Sequence, residues 1–140
     1  MDSPVPRHRP GVLIVDDEPE TCVLLRAILE EAGIQVLGTA FGGTDGVAAA
    51  KALEPEVVLM DLRMPDLDGL AATRQIKEHR PVTQVIFLTF YGDSELTTAA
   101  EEVGAFCYLV KGCPPSLIVD MVRRASERAA HPAGRPSVTA

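Results

Sequence analysis

Short apolar runs alternate with longer amphipathic segments along most of this chain. Four consecutive apolar residues occur at Val12–Val15, Val57–Met60 and Val85–Leu88. Runs this short and this apolar are typical of strands buried on both faces of a sheet. Segments with apolar residues at helical spacing follow them. Five strand–helix units therefore predict an α/β protein, in which helices cover both faces of a parallel sheet through right-handed crossovers.

Turn and capping residues set the expected bounds of these elements. Pro19 is placed to begin the first helix and Gly33 to end it, while Thr44 or Asp45 is expected to cap the second helix. The segment 34–39 alternates more than the other runs and is predicted to be an edge strand. The strands are expected at 12–15, 34–39, 57–60, 82–89 and 105–110, and the helices at about 19–32, 45–53, 69–79, 94–103 and 115–128.

Length and composition predict one domain. A chain of 140 residues with 46% hydrophobic residues is long enough to bury a core. Residues 1–10 contain three prolines and are predicted to be a flexible lead before a domain at 11–128. Residues 129–140 contain two prolines and no apolar face, which predicts a flexible tail or a truncated linker.

Charge and hydropathy exclude several classes of function. The net charge of −7 gives no electrostatic basis for direct nucleic acid binding by this segment. No apolar stretch approaches the length of a membrane span. The three cysteines do not form a CxxC pair, which favours a reduced, cytoplasmic setting.

The carboxyl ends of the predicted strands carry the candidate chemistry. Asp16 and Asp17 follow the first strand and Asp61 follows the third, while Thr89 ends the fourth and Lys111 follows the fifth. Each residue alone has an ordinary structural interpretation, such as acids that cap a helix. Ligands bind at this edge of an open α/β sheet, so the combination indicates one site.

Three neighbouring carboxylates predict a cation. Two unit charges about 4 Å apart repel by roughly 4 kcal/mol at an effective dielectric constant near 20. Oxygen ligands of this kind suit Mg²⁺, and Asp16→Asn or Asp17→Asn is expected to stabilise the metal-free fold. Lys111 and Thr89 would then hold an anion such as a phosphoryl group. Asp61 is the expected nucleophile, forming an acyl phosphate.

Four motifs in this order resemble the receiver domain of two-component response regulators. They are LIVDDE at 13–18, VVLMDLRMPDLDG at 57–69, FLT at 87–89 and GAFCYLVK at 104–111. The resemblance implies a doubly wound, flavodoxin-like fold with strand order 2-1-3-4-5. It also implies a histidine kinase as the partner that donates the phosphoryl group to Asp61, and a phospho-acceptor that assists its own chemistry without being an enzyme.

The same resemblance implies further residue roles. Mg²⁺ would be held by Asp17, Asp61 and the main-chain carbonyl of Arg63, with Asp16 acting through water. Thr89 would shift toward the phosphoryl group and Tyr108 would turn inward. These movements would remodel the face built from the fourth helix, the fifth strand and the fifth helix, which is expected to control transcription output or partner binding and to form a homodimer.

Two positions depart from the family pattern. Many receivers have a cis proline after the lysine, whereas Gly112 follows Lys111 here. A cis bond without proline costs about 3 kcal/mol, so this peptide is expected to be trans. Phe90 stands where a small residue is common, and we hypothesise that it screens the acyl phosphate from water and slows dephosphorylation.

Several roles are compatible with this sequence. The arrangement Lys-Gly-x-Pro-Pro resembles the NarL/FixJ-like branch, whose complete proteins add a helix-turn-helix output domain. A receiver half of a transcription regulator and a stand-alone signalling adaptor are therefore both open, and Val119 hints at a partner or dimer surface.

An aspartyl-phosphate phosphatase is disfavoured because Arg63 occupies the position of the second acid. Acids after the first strand would repel the phosphate of a flavin. Asp66 and Asp68 are interpreted as turn and capping residues.

Overall fold

A computed structural model describes residues 11–90 and 94–132 of the chain. The flexible lead predicted for 1–10 lies outside the described residues, as do residues 133–140 of the predicted tail. The strands are β1 (Gly11–Val15), β2 (Gln35–Ala40), β3 (Val57–Met60), β4 (Gln84–Thr89) and β5 (Cys107–Val110). The helices are α1 (Pro19–Glu31), α2 (Gly43–Leu53), α3 (Gly69–His79), α4 (Ser94–Glu102) and α5 (Pro115–Ala130).

The five strands form one parallel sheet in the order β2-β1-β3-β4-β5. This order confirms the doubly wound α/β fold that the strand–helix alternation and the resemblance predict. The alternating strand β2 lies at an edge, as expected. All residues of β1, β3 and β4 are buried, because helices cover both faces of the centre of the sheet.

Two hydrophobic clusters hold the helices against the sheet. Alternate residues of each central strand point to opposite faces, so Ile14 and Leu59 pack with α1 and α5, whereas Leu13 and Met60 pack with α2, α3 and α4. This division places the helices on the two faces of one sheet. The site at the carboxyl ends of the strands therefore rests on a core that is packed from both sides.

The predicted core face of α5 is confirmed at Ile118, Val122 and Ala125, which are buried, but its first turn differs from the prediction. Leu117, which was expected to face the core, is 38% exposed, whereas Val119 is partly buried against the cluster formed with α1. Val119 therefore gives no evidence for a partner surface. The helix extends to Ala130, two residues past the expected domain boundary at Arg128.

The caps of α2 and α3 come from one loop. Asp68 caps α3 as expected, since its side chain accepts a hydrogen bond from Ala71 N at 2.9 Å. The prediction that Thr44 or Asp45 caps α2 is wrong, because the N-cap position is Gly42, which has no side chain. Asp66 performs this role from the β3–α3 loop by accepting hydrogen bonds from Gly43 N at 3.1 Å and Thr44 N at 3.0 Å. These bonds lower the pKa of Asp66 well below its usual range.

Among the helices that the structure describes, none is both long and apolar enough to cross a membrane. The cytoplasmic location expected from the sequence stays a prediction.

The peptide bonds of the described segments are all trans, including the bond between Lys111 and Gly112. Gly112 has a φ of 100°, a conformation that glycine adopts without strain.

Gly69 allows α3 to begin directly against the end of β3. A Cβ atom at this position would clash with the carbonyl oxygen of Asp61 and would lie 3.0 Å from Cα of Leu62. The amide of Gly69 also donates a hydrogen bond to the carbonyl of Leu62 at 2.8 Å. The backbone around Asp61 can therefore keep its position only with glycine at residue 69.

We expect Gly69→Ala to lower the free energy of unfolding by about 1–3 kcal/mol, because the new methyl group has backbone atoms as neighbours and these cannot move aside alone. Urea unfolding measures the change. Gly38→Ala is the matched control, since its added Cβ would meet only Leu53 Cδ1 at 3.4 Å, an ordinary contact. Equal stabilities of the two variants would contradict the close approach at Gly69.

Candidate functional site

The backbone hydrogen bonds at the carboxyl edge of the sheet position the candidate residues. Asp16 N donates to Ala40 O at 3.0 Å, and Asp61 N donates to Val15 O at 2.9 Å. Lys111 N donates to Thr89 O at 2.7 Å, so the start of the β5–α5 loop is tied to the end of β4. Residues that are distant in sequence are thereby fixed on neighbouring strand ends.

Three carboxylates converge at this edge. Asp16, Asp17 and Asp61 each offer an oxygen atom, and these atoms lie within 4.8 Å of one another. Asp16 is 2% exposed and Asp61 is 7% exposed, while Asp17 is the most open of the three. The arrangement concentrates negative charge where little water is present to screen it.

Lys111 supplies the positive charge in this cluster. Its ammonium nitrogen lies 2.7 Å from Asp16 Oδ2 and 3.8 Å from Asp61 Oδ2. Its side chain is only 8% exposed. Burial alone would lower the pKa of Lys111, but the hydrogen bond to Asp16 and the charges of Asp61, Asp16 and Glu18 outweigh burial and raise this pKa. The lysine is therefore charged wherever the acids are ionised.

The environment of Asp61 disfavours its ionised form. Burial is the largest cause, and the neighbouring charge of Asp16 adds to it, so that the pKa of Asp61 is raised to about 6 in spite of the opposing effect of Lys111. An added cation would favour the ionised form.

The remaining candidates lie around this centre. Thr89 is the fully buried last residue of β4, adjoining Lys111 through the backbone bond. Arg63 lies in the β3–α3 loop and lines an open cleft of about 500 Å³ together with Asp17. Tyr108 pairs with Phe87 in the sheet, and its hydroxyl oxygen is buried. The fold therefore brings the strand-end residues predicted from the sequence to one edge of the sheet. Tyr108 lies within β5, three residues before Lys111.

Three contacts of the site were not foreseen from the sequence. The amide of Glu18 donates to Asp16 Oδ1 at 2.9 Å, which fixes this carboxylate, and Glu18 Oε1 lies 3.9 Å from Lys111 Nζ. The ammonium nitrogen of Lys111 also lies 4.9 Å from the centre of the Phe90 ring. All three contacts involve loops at the edge of the sheet, where hydrophobic periodicity carries no information.

The donor set suits a hard divalent cation. Carboxylate oxygens on two strand ends lie within the distance that one ion can bridge, and the Asp17 side of the cluster opens toward the cleft. Three carboxylates face one ammonium group, so Lys111 alone does not balance their charge when all three are ionised. These properties fit Mg²⁺, which prefers carboxylates, main-chain carbonyls and retained water molecules.

The fold and the site together define a class of protein. A doubly wound parallel sheet carries an acidic cluster, a buried lysine and a buried threonine hydroxyl at the carboxyl ends of its strands. This combination is suited to receiving a phosphoryl group on a carboxylate.

The chain belongs to the response regulator receiver domain family, whose model matches residues 12–123. It is a receiver domain of two-component signalling. Receiver domains are phospho-acceptors that bind Mg²⁺ at an acidic pocket and interact with histidine kinases. The family match favours this function over the phosphatase and flavin-binding alternatives.

Curated relatives include both single-domain and larger proteins. The chain is 33% identical over 116 residues to the chemotaxis protein CheY of Thermotoga maritima, covering 83% of this chain and 97% of that protein. It is 38% identical over 117 residues to the transcriptional regulatory protein LiaR of Bacillus subtilis, covering 83% of this chain and 56% of LiaR. It is 41% identical over 106 residues to a protein-glutamate methylesterase of Methanospirillum hungatei, covering 75% of this chain and 30% of that enzyme. The chain thus spans about a third to a half of these two larger relatives.

Solved structures show the same fold. The signal receiver domain of NarL from Mycobacterium tuberculosis superposes with a TM-score of 0.81 at 26% identity, covering 85% of this chain and 97% of that domain. A receiver domain protein from Clostridium thermocellum superposes with a TM-score of 0.79 at 32% identity, covering 86% of this chain and 97% of that protein. Together with LiaR, the NarL structure confirms the predicted likeness to the NarL/FixJ-like branch.

We expect Asp61→Asn to stabilise the metal-free protein at pH 7 by on the order of 2 kcal/mol, because an amide avoids the cost of burying a charge beside Asp16. The raised pKa means that the folded state binds the proton more tightly than the unfolded state. The destabilisation by Asp61 is therefore absent below about pH 4 and complete above about pH 6. Urea unfolding in EDTA should show wild type losing stability relative to the variant across this range.

Asp16→Asn is the control, and here the structure changes the expectation drawn from the sequence. Asp16 holds Lys111 at 2.7 Å, so its neutralisation weakens an ion pair as well as relieving repulsion, and we expect lower stability. A stability difference between wild type and Asp61→Asn that does not vary with pH would contradict the assigned environment of Asp61.

Proposed function

We propose that Asp61 accepts a phosphoryl group from a histidine kinase in a reaction that depends on Mg²⁺. The observation that carries this proposal is the burial of Asp61 between two further acids and the ammonium group of Lys111. A carboxylate in this position is kept reactive, and a transferred phosphoryl group would have a cation beside it.

Each residue of the site has a role in this proposal. An oxygen of Asp61 attacks phosphorus, and the bond between phosphorus and the leaving nitrogen of the kinase histidine breaks. Lys111 and the hydroxyl of Thr89 stabilise the charge of the transferred group. Asp16, Asp17, Asp61 and the main-chain carbonyl of Arg63 are the proposed holders of Mg²⁺. When bound, Mg²⁺ would offset the charge of the acids and of the phosphoryl oxygens.

The proposed output is a change in the α4-β5-α5 face. Thr89 ends β4 and adjoins Lys111, and Tyr108 lies on β5 with a buried hydroxyl oxygen, which supports the proposal that these two residues act as the switch. Phosphorylation adds a local charge that biases a bistable element. Val110, the last residue of β5, is 45% exposed, which supports this face as a contact surface. A homodimer through the α4-β5-α5 face stays a prediction.

Two outputs follow from the relatives. The similarity to LiaR favours control of transcription through a further domain, and the similarity to CheY favours partner binding by the receiver itself. In either role the protein would work in the cytoplasm as a phospho-acceptor that assists its own phosphotransfer and dephosphorylation, and not as an enzyme acting on another substrate.

Incubation with acetyl phosphate tests the assignment of Asp61. We expect one phosphoryl group to be added to wild type in the presence of Mg²⁺, and none to Asp61→Asn, as measured by intact-protein mass. Asp66→Asn is the matched control, because Asp66 is an aspartate of the same loop whose side chain caps α2. Addition to Asp61→Asn equal to that of wild type would refute the assignment.

Phe90 has a contact that supports the hypothesis of a screened acyl phosphate. Its ring lies over the ammonium group of Lys111, although 64% of the residue is exposed. The ring therefore covers one side of Lys111 and limits the approach of water to it. A cation–π contact at an exposed position stabilises by about 0.5–1 kcal/mol.

We expect Phe90→Ala to shorten the lifetime of the phosphorylated protein about two- to fivefold, since the variant loses both the cover and the contact with Lys111. Loss of the phosphoryl group after removal of the donor measures this lifetime. Phe90→Leu keeps an apolar cover without a ring and should give an intermediate value. Phe41→Ala removes another exposed phenylalanine, 52% exposed, and should have no effect. An unchanged lifetime in Phe90→Ala would contradict the hypothesis.

A further inference from the structure

A second charged cavity lies at the opposite end of the sheet from Asp61. We call it the basal pocket, and it has a volume of about 540 Å³. It is formed where α3 ends, where β4 and β5 begin and where α5 ends. Residues that line it include Lys77, Gln84, Gly104, Phe106, Arg128 and Pro132. Its volume is within the range of about 300–1,000 Å³ that is typical of small-molecule sites.

Lys77 is held at this pocket by the backbone. Its ammonium group donates to Pro81 O at 2.9 Å and to Thr83 O at 3.0 Å. An ammonium group has three N–H donors, so these two bonds fix its position and leave one donor for another acceptor. Within segments 11–90 and 94–132, no carboxylate lies at ion-pair distance from Lys77.

Arg128 brings a second positive charge to the same cavity. Its guanidinium carbon lies 5.7 Å from the centre of the Phe106 ring, which restricts the side chain to the pocket side of α5. It too has no carboxylate partner in the part of the chain that the structure describes. Two acids of neighbouring segments are engaged elsewhere: Glu56 accepts a hydrogen bond from Ser126 at 2.7 Å, and Glu127 lies 3.9 Å from His131.

The two cations act on each other. Burial lowers the pKa of Lys77, and the charge of Arg128 lowers it further, so that the pair is less favourable together than apart. Lys77 is partly buried and Arg128 is exposed, and two like charges at one cavity favour the binding of an anion that contacts both. A protein with a net charge of −7 has no general attraction for anions, so this pocket differs from the rest of the surface.

We propose that the basal pocket binds a small oxyanion of the phosphate or carboxylate type through Lys77 and Arg128. The planar guanidinium group of Arg128 can donate two parallel hydrogen bonds to such an anion, and Lys77 adds a point charge with its remaining N–H. This site uses no residue of the Asp61 cluster. Its failure would therefore leave the proposed phosphotransfer function untouched.

NMR titration of the ¹⁵N-labelled chain, freed of metal beforehand and kept in a buffer without chelator, tests the proposal, with inorganic pyrophosphate and succinate as the two probes. We expect saturable shifts at the amides of Gly104, Ala105 and Phe106, and no saturable shifts at Asp16 or Asp61, because metal-free carboxylates repel anions. Binding of both probes would indicate a general oxyanion site, and binding of pyrophosphate alone would indicate a phosphate site.

Arg128→Gln is expected to weaken binding at least tenfold, because it removes the bidentate donor. Arg124→Gln is the matched control, since it makes the same change four residues earlier on α5, where Arg124 pairs with Asp120 at 3.2 Å, and it should change affinity less than twofold. Lys77→Gln gives a second test, with the NMR spectrum reporting whether the fold is intact. Absence of saturable shifts with either probe, or equal affinities of Arg128→Gln and wild type, would overturn the proposal.

Discussion

The mutual repulsion of buried carboxylates, offset by Lys111, is the interaction on which the organisation of this protein depends. Asp16 and Asp61 are both nearly inaccessible to water, and the ammonium group of one lysine contacts both. Removal of that charge would leave two uncompensated acids in a medium that screens poorly. Burial, with the charge of Asp16 beside it, raises the pKa of Asp61, and a cation at the cluster would offset both effects.

This arrangement depends on the order of the strands. Asp16 and Asp61 follow β1 and β3, which are neighbours, but Lys111 follows β5 at the edge of the sheet. Strands lie about 4.8 Å apart, so β5 is roughly 14 Å from β1 and its following loop must lean back across the sheet. The bond from Lys111 N to Thr89 O ties the start of this loop to the end of β4, and the Lys111 side chain then reaches Asp16 at 2.7 Å. The main-chain carbonyl of Thr89 therefore helps to position Lys111, while its hydroxyl is a candidate for phosphoryl binding.

Hydrophobic pattern predicted most of the fold because the central strands are buried on both faces and leave uninterrupted apolar runs. The strand-end residues followed directly, since parallel strands share one carboxyl edge. Contacts between loops could not be predicted in this way. Asp66 caps α2 from more than 20 residues away, and Phe90 lies over Lys111, although neither pair has a local sequence signal. In α5 the buried residues Ile118, Val122 and Ala125 followed the predicted spacing, whereas Leu117 is exposed and Val119 is partly buried against the core.

The same constraint defines what phosphorylation can do to the structure. A ligand shifts a conformational equilibrium only by the difference between its interactions in the two states. In the unphosphorylated protein Lys111 is already committed to Asp16 at 2.7 Å, so a phosphoryl group on Asp61 must compete for an ammonium group that has a partner. The free energy available for switching is the difference between these two ion pairs, together with any contact that Thr89 gains. Since Lys111 begins the loop that leads into α5, an exchange of its partners under the proposed phosphorylation of Asp61 would reach the start of that helix first.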